Sequence, residues 1–195
     1  PTFGQATISE AKLILTAAAA KTVNVTGNSD IDLSTGTAHA NLKTVEASAM
    51  TGALTYTIDS TVADFALTSG SGIDAITIST SNNAQVKTGA GADIITVQAG
   101  AVSANIWGGA GNDTFTGNSD SNNLTGADGD DYFYVKDAAI TGESDVIIGG
   151  NNSAVGDSVD FSLITNTNYF VDVDLASQKL LLKDLTLTDN LSTTT

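Results

Sequence analysis

Four aspartates, Asp74, Asp93, Asp113 and Asp131, recur along this chain at gaps of 19, 20 and 18 residues. Each has a glycine two positions before it, and each has a large apolar residue two positions later: Ile76, Ile95, Phe115 and Phe133. In the fullest case, Gly108-Gly109-Ala110-Gly111-Asn112-Asp113-Thr114-Phe115-Thr116 fits every position of the nonapeptide G-G-x-G-x-D-x-U-x, where U is a large apolar residue. Ser69–Ile76, Thr88–Ile95 and Gly126–Phe133 follow the same scheme with one or more positions relaxed. Carboxylates beside glycine-shaped turns offer a set of oxygen donors. That is the chemistry of a hard cation such as calcium, which takes about 6–8 oxygen ligands. Glycine admits the positive φ angles at which carbonyl oxygens converge. One such match would mean little, because Gly and Asp occupy turns of every kind. The near-constant phase of four carries the reading.

The elements that position these groups follow from the spacing. The first six residues of a nonapeptide make a turn, and the U residue starts a short strand pointing inward. Two nonapeptides complete one coil, so aspartates about 18 residues apart stack on the same edge. An ion between turns would tie adjacent coils together. The opposite edge is poorer. Asn122 stands where a carboxylate is expected, which predicts a weaker or empty site, and the half-coils around Ser81-Asn82-Asn83 and Ala99-Gly100-Ala101 lack one altogether.

Short β-prone runs recur every nine to eleven residues or so, among them Val23–Thr26, Ile31–Ser34, Leu54–Ile58, Phe65–Thr68, Ile76–Ser79, Ile94–Val97, Thr114–Thr116, Tyr132–Val135, Val146–Ile148 and Val159–Ser162. Gly, Asn, Ser, Thr and Asp fill the gaps. A β-sandwich would give a similar strand density. The fixed phase of the aspartates favours an all-β parallel solenoid, a β-roll or β-helix with cation-binding turns. Residues 1–22 read as an N-terminal cap or linking segment. Residues 23–68 read as coils without cation turns, 69–163 as cation-binding coils, and 164–195 as a C-terminal β cap. Thr7-Ile8-Ser9-Glu10 looks like a capping box ahead of the Ala/Leu-rich segment Ala11–Ala20, which predicts a short helix; the alternative is a strand through Lys12–Thr16. Tyr169–Thr188 alternates apolar and polar residues and reads as a hairpin or last coils.

The repeat resembles that of the RTX family of secreted Gram-negative proteins, whose fold is a parallel β-roll loaded with calcium. Matched position by position, the resemblance implies that Asp113 and Asp131 share one edge and several calcium ions. The carbonyls of Gly108, Ala110 and Asn112, and of Gly126, Asp128 and Asp130, would join them. It implies a second, less regular group at Asp74 and Asp93 with Gly70, Gly72, Gly89 and Gly91. Calcium-poor coils such as Leu42–Ser48 and Thr51–Tyr56 beside such turns are similar to the RTX-type surface-layer proteins of Gram-negative bacteria.

Composition bounds the partners. The 195 residues hold 22 acidic groups against seven lysines and no arginine, for a net charge of −15. Such a chain cannot neutralise phosphates, which excludes nucleic acid. No apolar run approaches the ~20 residues of a membrane span. There is no cysteine. The only histidine, His39, sits among small residues and reads as a surface group. Paired aspartates do serve glycoside hydrolysis, but calcium turns explain them better here. Threonines such as Thr55/Thr57 and Thr114/Thr116 raise an ice-binding array, yet their spacing along the chain is irregular. The expectation is therefore a non-enzymatic, extracellular structural protein of a bacterial cell surface. It would self-assemble with calcium as a lattice or filament, leave by a type I-like export route, and have cell-surface polysaccharide as a second partner. The alternative is a calcium-stiffened module of a secreted adhesin or exoenzyme. Pro-Thr-Phe-Gly shows no signal-peptide pattern, so the chain reads as a processed product or fragment.

Overall fold

The computed structural model describes residues 11–12, 20–33, 41–60, 62–136, 145–151, 155–163, 169–174 and 179–184. The chain winds as an all-β solenoid of about six turns, alternating between two sheets. The first sheet stacks β1 (Ala11–Lys12), β3 (Ile31–Asp32), β5 (Leu54–Ile58), β7 (Ala75–Ile78), β9 (Ile94–Val97), β11 (Thr114–Thr116), β13 (Tyr132–Lys136) and β15 (Ser158–Leu163). The second stacks β2 (Thr22–Gly27), β4 (Thr44–Met50), β6 (Ala66–Thr68), β8 (Gln85–Ala90), β10 (Asn105–Ala110), β12 (Asn123–Asp128) and β14 (Val146–Asn151). Two further strands, β16 (Tyr169–Asp174) and β17 (Lys179–Asp184), close the second sheet as an antiparallel hairpin laid on β14 through β17. All other pairings are parallel.

Strict alternation drives this arrangement. Side chains in a strand point to opposite faces at a period of two, so each run buries every second residue. In register, Tyr56, Ile76, Ile95, Phe115 and Phe133 line the inner face of the first sheet. Val45, Leu67, Val86, Ile106, Leu124 and Ile147 line that of the second. Burying each such side chain contributes roughly 1.5–3 kcal/mol. Phe115 and Phe133 stack with ring centroids 4.7 Å apart. The two sheets run through residue 69 without a break, so the coils before and after it share one core.

Two expectations change. The predicted helix over Ala11–Ala20 is not what its first residues form: Ala11 and Lys12 pair with Ile31 and Asp32 as a strand. Propensity for a helix is worth tenths of a kcal/mol per residue, and an open sheet edge outweighs it. Residues 13–19 lie outside the described part, as does His39, and the described residues contain no helix. The six-residue turn is also shorter than expected. Gly108, Gly109 and Ala110 finish strand β10, and only residues 111–113 turn the corner. Glycine is required there by close stacking: a Cβ on Gly109 (φ 123°) would lie 1.9 Å from the Gly89 carbonyl oxygen. The C-terminal hairpin is as expected.

This packing predicts a sharp inner–outer contrast. Phe115→Ala should cost about 3–5 kcal/mol, whereas Thr77→Ala, on the outer face of the same sheet, should stay within about 0.5 kcal/mol. Urea denaturation of the two variants measures the difference.

Candidate metal centre

Each coil turns from the second sheet into the first at a corner, and the aspartates stand at that corner. The residue after each aspartate joins the sheet ladder: Ile94 N donates to Asp74 O, Thr114 N to Asp93 O and Tyr132 N to Asp113 O, all at 2.8 Å. The N–H of the aspartate itself needs another acceptor. The carboxylate of the next coil supplies it. Asp93 Oδ1 accepts from Asp74 N, Asp113 Oδ1 from Asp93 N and Asp131 Oδ1 from Asp113 N, each at 2.8 Å. Asp74 Oδ1 closes the upper end on Leu54 N at 2.7 Å. The structure thus brings all four sequence-predicted aspartates into one column.

The column has a fifth member that spacing concealed. Asp157 Oδ1 accepts from Asp131 N at 2.8 Å. Gly149-Gly150 and Gly156-Asp157 are two halves of the same nonapeptide, separated by an insertion, so a fixed 18–20-residue period passes over them. The signal that could have found it is the flanking pattern, two glycines before and Val159 two positions after.

The other carboxylate oxygen is the informative one. Asp74, Asp93, Asp113 and Asp131 are each 1% exposed, and the Oδ2 of each is buried without any hydrogen-bond donor. A buried oxygen in that condition costs free energy unless a proton or a cation meets it. Neighbouring glycines let the carboxylates pack directly against bare backbone. A Cβ on Gly108 would fall 2.1 Å from Asp113 Oδ2 and 3.0 Å from the Gly126 carbonyl oxygen. A Cβ on Gly126 would fall 1.9 Å from Asp131 Oδ2 and 2.8 Å from the Gly149 carbonyl oxygen. Carboxylate and carbonyl oxygens therefore face the same small space, as a hard cation requires.

Higher up the column the same inward position carries a side chain. Ser69 stands beside Asp74, and Thr88 beside Asp93. Their hydroxyls lie close enough to draw those carboxyl pKa values down somewhat. Each hydrogen is nevertheless committed elsewhere, Ser69 Oγ to Thr88 O at 2.8 Å and Thr88 Oγ1 to Gly108 O at 2.9 Å, so the Oδ2 atoms keep no donor. At 108, 126 and 149 no side chain stands beside the carboxylate, so backbone carbonyls approach it directly, which ranks the Asp113–Asp131 region above Asp74–Asp93.

The carbonyls expected to join are distributed unevenly. Gly126 O lies in the space beside Asp113. Gly108 O accepts the Thr88 hydroxyl, while Ala110 O and Asp128 O accept ladder bonds from Gly91 N and Gly111 N at 2.8 and 2.7 Å. Each keeps a second lone pair. Asn112 and Asp130 form a parallel outer ladder, with Asp130 N donating to Asn112 Oδ1 at 3.0 Å. Gly70, Gly72, Gly89 and Gly91 serve the stacking of coils: a Cβ on Gly89 would meet Gly70 O at 2.2 Å, and one on Gly91 would meet Gly72 O at 2.2 Å. Among the described residues no three carboxylate or imidazole side chains gather into a metal cluster. Any ion here depends on backbone oxygens as well as two carboxylates.

On the opposite edge, Asn122 takes the aspartate position and is fully engaged. Its Oδ1 accepts from Ala104 N at 3.3 Å, and its amide donates to Asn118 Oδ1 at 2.9 Å and Asp120 O at 2.7 Å. Asp145, which spacing also missed, continues that ladder by accepting from Asn122 N at 2.8 Å.

Burial pushes the Asp113 carboxyl up to about 7 and Asp131 up to about 6, with neighbouring aspartates adding to the effect. It raises Asp74 and Asp93 as well. No protein-family model, curated protein or solved structure matches this chain.

Two outcomes follow. Free aspartate titrates near 3.9, so between about pH 4 and pH 7 the folded column holds more protons than the unfolded chain. In chelator, stability from the column is complete below about pH 4 and is lost as pH rises through 6 to 7. Melting temperature in EDTA should fall across that window, and calcium should abolish the fall by taking the place of the protons. A melt in EDTA that rises across the window contradicts the burial argument. Separately, Asp113→Ala should remove calcium stoichiometry in a calorimetric titration, while Asp120→Ala, whose carboxylate accepts from Asn118 Nδ2 at 3.2 Å, should leave it intact.

Proposed function

We propose that this chain is a structural, calcium-dependent β-solenoid of a bacterial cell surface that assembles with copies of itself into a lattice or filament. The observation that carries the reading is the column of four buried carboxylates, Asp74, Asp93, Asp113 and Asp131, each with one oxygen lacking a donor, with backbone carbonyls close to those of Asp113 and Asp131. Asp113, Asp131 and the Gly126 carbonyl would hold one ion. Asp131, Asp157 and the Gly149 carbonyl would hold another, with Asp74 and Asp93 forming a tighter site above. Calcium supplies the positive charge that the column lacks. The residues supply position: Oδ1 fixes each carboxylate on the coil before it, and the glycines let Oδ2 lie against the backbone carbonyls.

The resemblance to RTX surface-layer proteins supports an extracellular role and export by a type I-like route. So does the acidity of the chain, which suits an environment rich in calcium. The role of the aspartates in this reading is to stiffen the molecule, and no reaction is assigned to them. Assembly draws on the ends. Among the described residues, β15 pairs only with β13 and β2 only with β4, and an unpaired strand edge is a template for another chain.

Saturating calcium stabilises the folded form by about 2.7 kcal/mol at 100 Kd, which for a chain of this size is roughly 5–10 °C in melting temperature. Light scattering and electron microscopy of the protein with calcium and with EDTA test the assembly. Ordered sheets or fibres in calcium alone are expected. A monomer that binds calcium and melts higher but never assembles points instead to a stiffened module of a larger adhesin or exoenzyme. An unchanged melt after complete chelation overturns the calcium reading itself.

A further inference from the structure

The outer face of the first sheet carries two rows of side chains whose alignment the sequence conceals. Register places Thr57, Thr77, Thr96 and Thr116 on successive coils, followed by Tyr134 and Asp160. The neighbouring row is Thr55, Ala75, Ile94, Thr114, Tyr132 and Ser158. Both rows are outward, because the residues between them are the buried ones. In a chain of net charge −15, Asp160 is the single charged side chain over these twelve positions.

The rows end in an ordered aromatic pair. The Tyr132 and Tyr134 rings lie 4.6 Å apart at 51°. Tyr132 Oη donates to Asp160 Oδ2 at 3.2 Å, and Asp160 Oδ1 is in turn held by Ser162 N at 2.7 Å. Two half-buried rings are thus held in place on an open sheet face, beside a run of hydroxyls spaced by the sheet repeat of about 4.8 Å. Rings of this kind offer apolar area with a polar tip and lose little entropy on binding.

We infer that this face is a binding strip for a neutral polysaccharide, with Tyr132 and Tyr134 as the stacking platform and Thr114, Thr116 and Asp160 as flanking hydrogen-bonding groups. Sugar rings present an apolar face to aromatic rings and hydroxyls around their rim, which threonine and carboxylate groups match. Electrostatics selects the class. The twelve positions hold no cation for an acidic polymer, and the one lysine beside them, Lys136 as the next outward residue of β13, is outweighed by Asp160 and a net charge of −15, which repel such a polymer. Ordered water is less well matched: only one of the two rows is continuous threonine, and the tyrosine pair interrupts both. This inference goes beyond the calcium and assembly reading and does not rest on it.

Native affinity electrophoresis through gels containing laminarin, hydroxyethyl cellulose, polygalacturonate or chitosan tests it, with the full chain run in calcium. Retardation by at least one of the two neutral polymers and none by polygalacturonate is expected. The double variant Tyr132→Ala/Tyr134→Ala should bind about tenfold or more weakly, and Trp107→Ala, on the other sheet, should bind normally. Because the tyrosines also cover the fold, Thr116→Lys serves as a second variant that charges the strip and should weaken binding while keeping the wild-type melt. The inference is overturned by retardation in chitosan alone that salt removes, by binding that survives both strip variants, or by thermal hysteresis of ice growth without binding to either neutral polymer. Calcium titration of the same samples keeps a failure here distinct from a failure of the metal centre.

Discussion

A carboxylate hydrogen-bonded to the backbone amide of the preceding coil is the interaction on which the rest of this molecule depends. A parallel solenoid must turn a corner on every coil, and the corner residue has an N–H that the sheet ladder does not reach. Asp Oδ1 reaches it, coil after coil, from Leu54 down to Asp157. The bond is charge-assisted and sheltered from water, so it sets the register of stacking. It also has a consequence. At Asp74, Asp93, Asp113 and Asp131 the carboxylate that caps an amide also buries a second oxygen, and a stack of such oxygens accumulates negative charge in the interior. Protonation or a cation must answer it, which makes the molecule sensitive to its solution.

Glycine is the counterpart of that bond. At the corner, coils approach so closely that carbonyl oxygens occupy the place of side chains, as at Gly109 and Gly111, where an added Cβ would sit 1.9 Å from the coil before. One position earlier in the coil, at 108, 126 and 149, it is the carboxylate Oδ2 that lies where a side chain would begin, 2.1, 1.9 and 1.8 Å from an added Cβ. Adjacent glycines in one motif therefore have different physical roles: one permits stacking of the coils, the other lets a carboxylate oxygen lie against the backbone. Replacing the second kind by serine or threonine, as at 69 and 88, puts a hydroxyl beside the carboxylate and ties it to the next carbonyl.

Inside and outside follow separate logics on this scaffold. The inner rows are aliphatic and aromatic and make the core continuous from the coils before residue 69 to the last parallel ones. The outer rows are free of that demand. On the second sheet they carry an amide ladder, with Asn123 donating to Asn105 at 2.7 Å and Asn105 to Asn83 at 2.9 Å, and Lys87 lies 5.5 Å from the Trp107 ring centroid. On the first sheet they carry threonines that end in tyrosines. Because one residue of each coil lands on each row, a solenoid displays a chosen chemistry over a long strip at no cost to its core.

Much of this was written in the chain itself. The period of Asp74, Asp93, Asp113 and Asp131, with an apolar residue two positions on, determined a stacked β repeat and the edge on which the carboxylates lie. Alternation located ten of the strands. What the sequence did not determine is anything that depends on unequal turns. Strands β8, β10 and β12 were hidden because their glycines look like turn residues, and only stacking shows that they belong to a sheet. Asp157 and Asp145 joined their columns across insertions that break the period. The threonine row looked irregular along the chain, since successive coils differ by a residue, yet the corners absorb the difference and the strands stay in register. Ala11 and Lys12 followed the sheet edge rather than their helical composition. Local pattern states which residues point inward; backbone hydrogen bonds between coils, which no local pattern contains, decide which residues become neighbours.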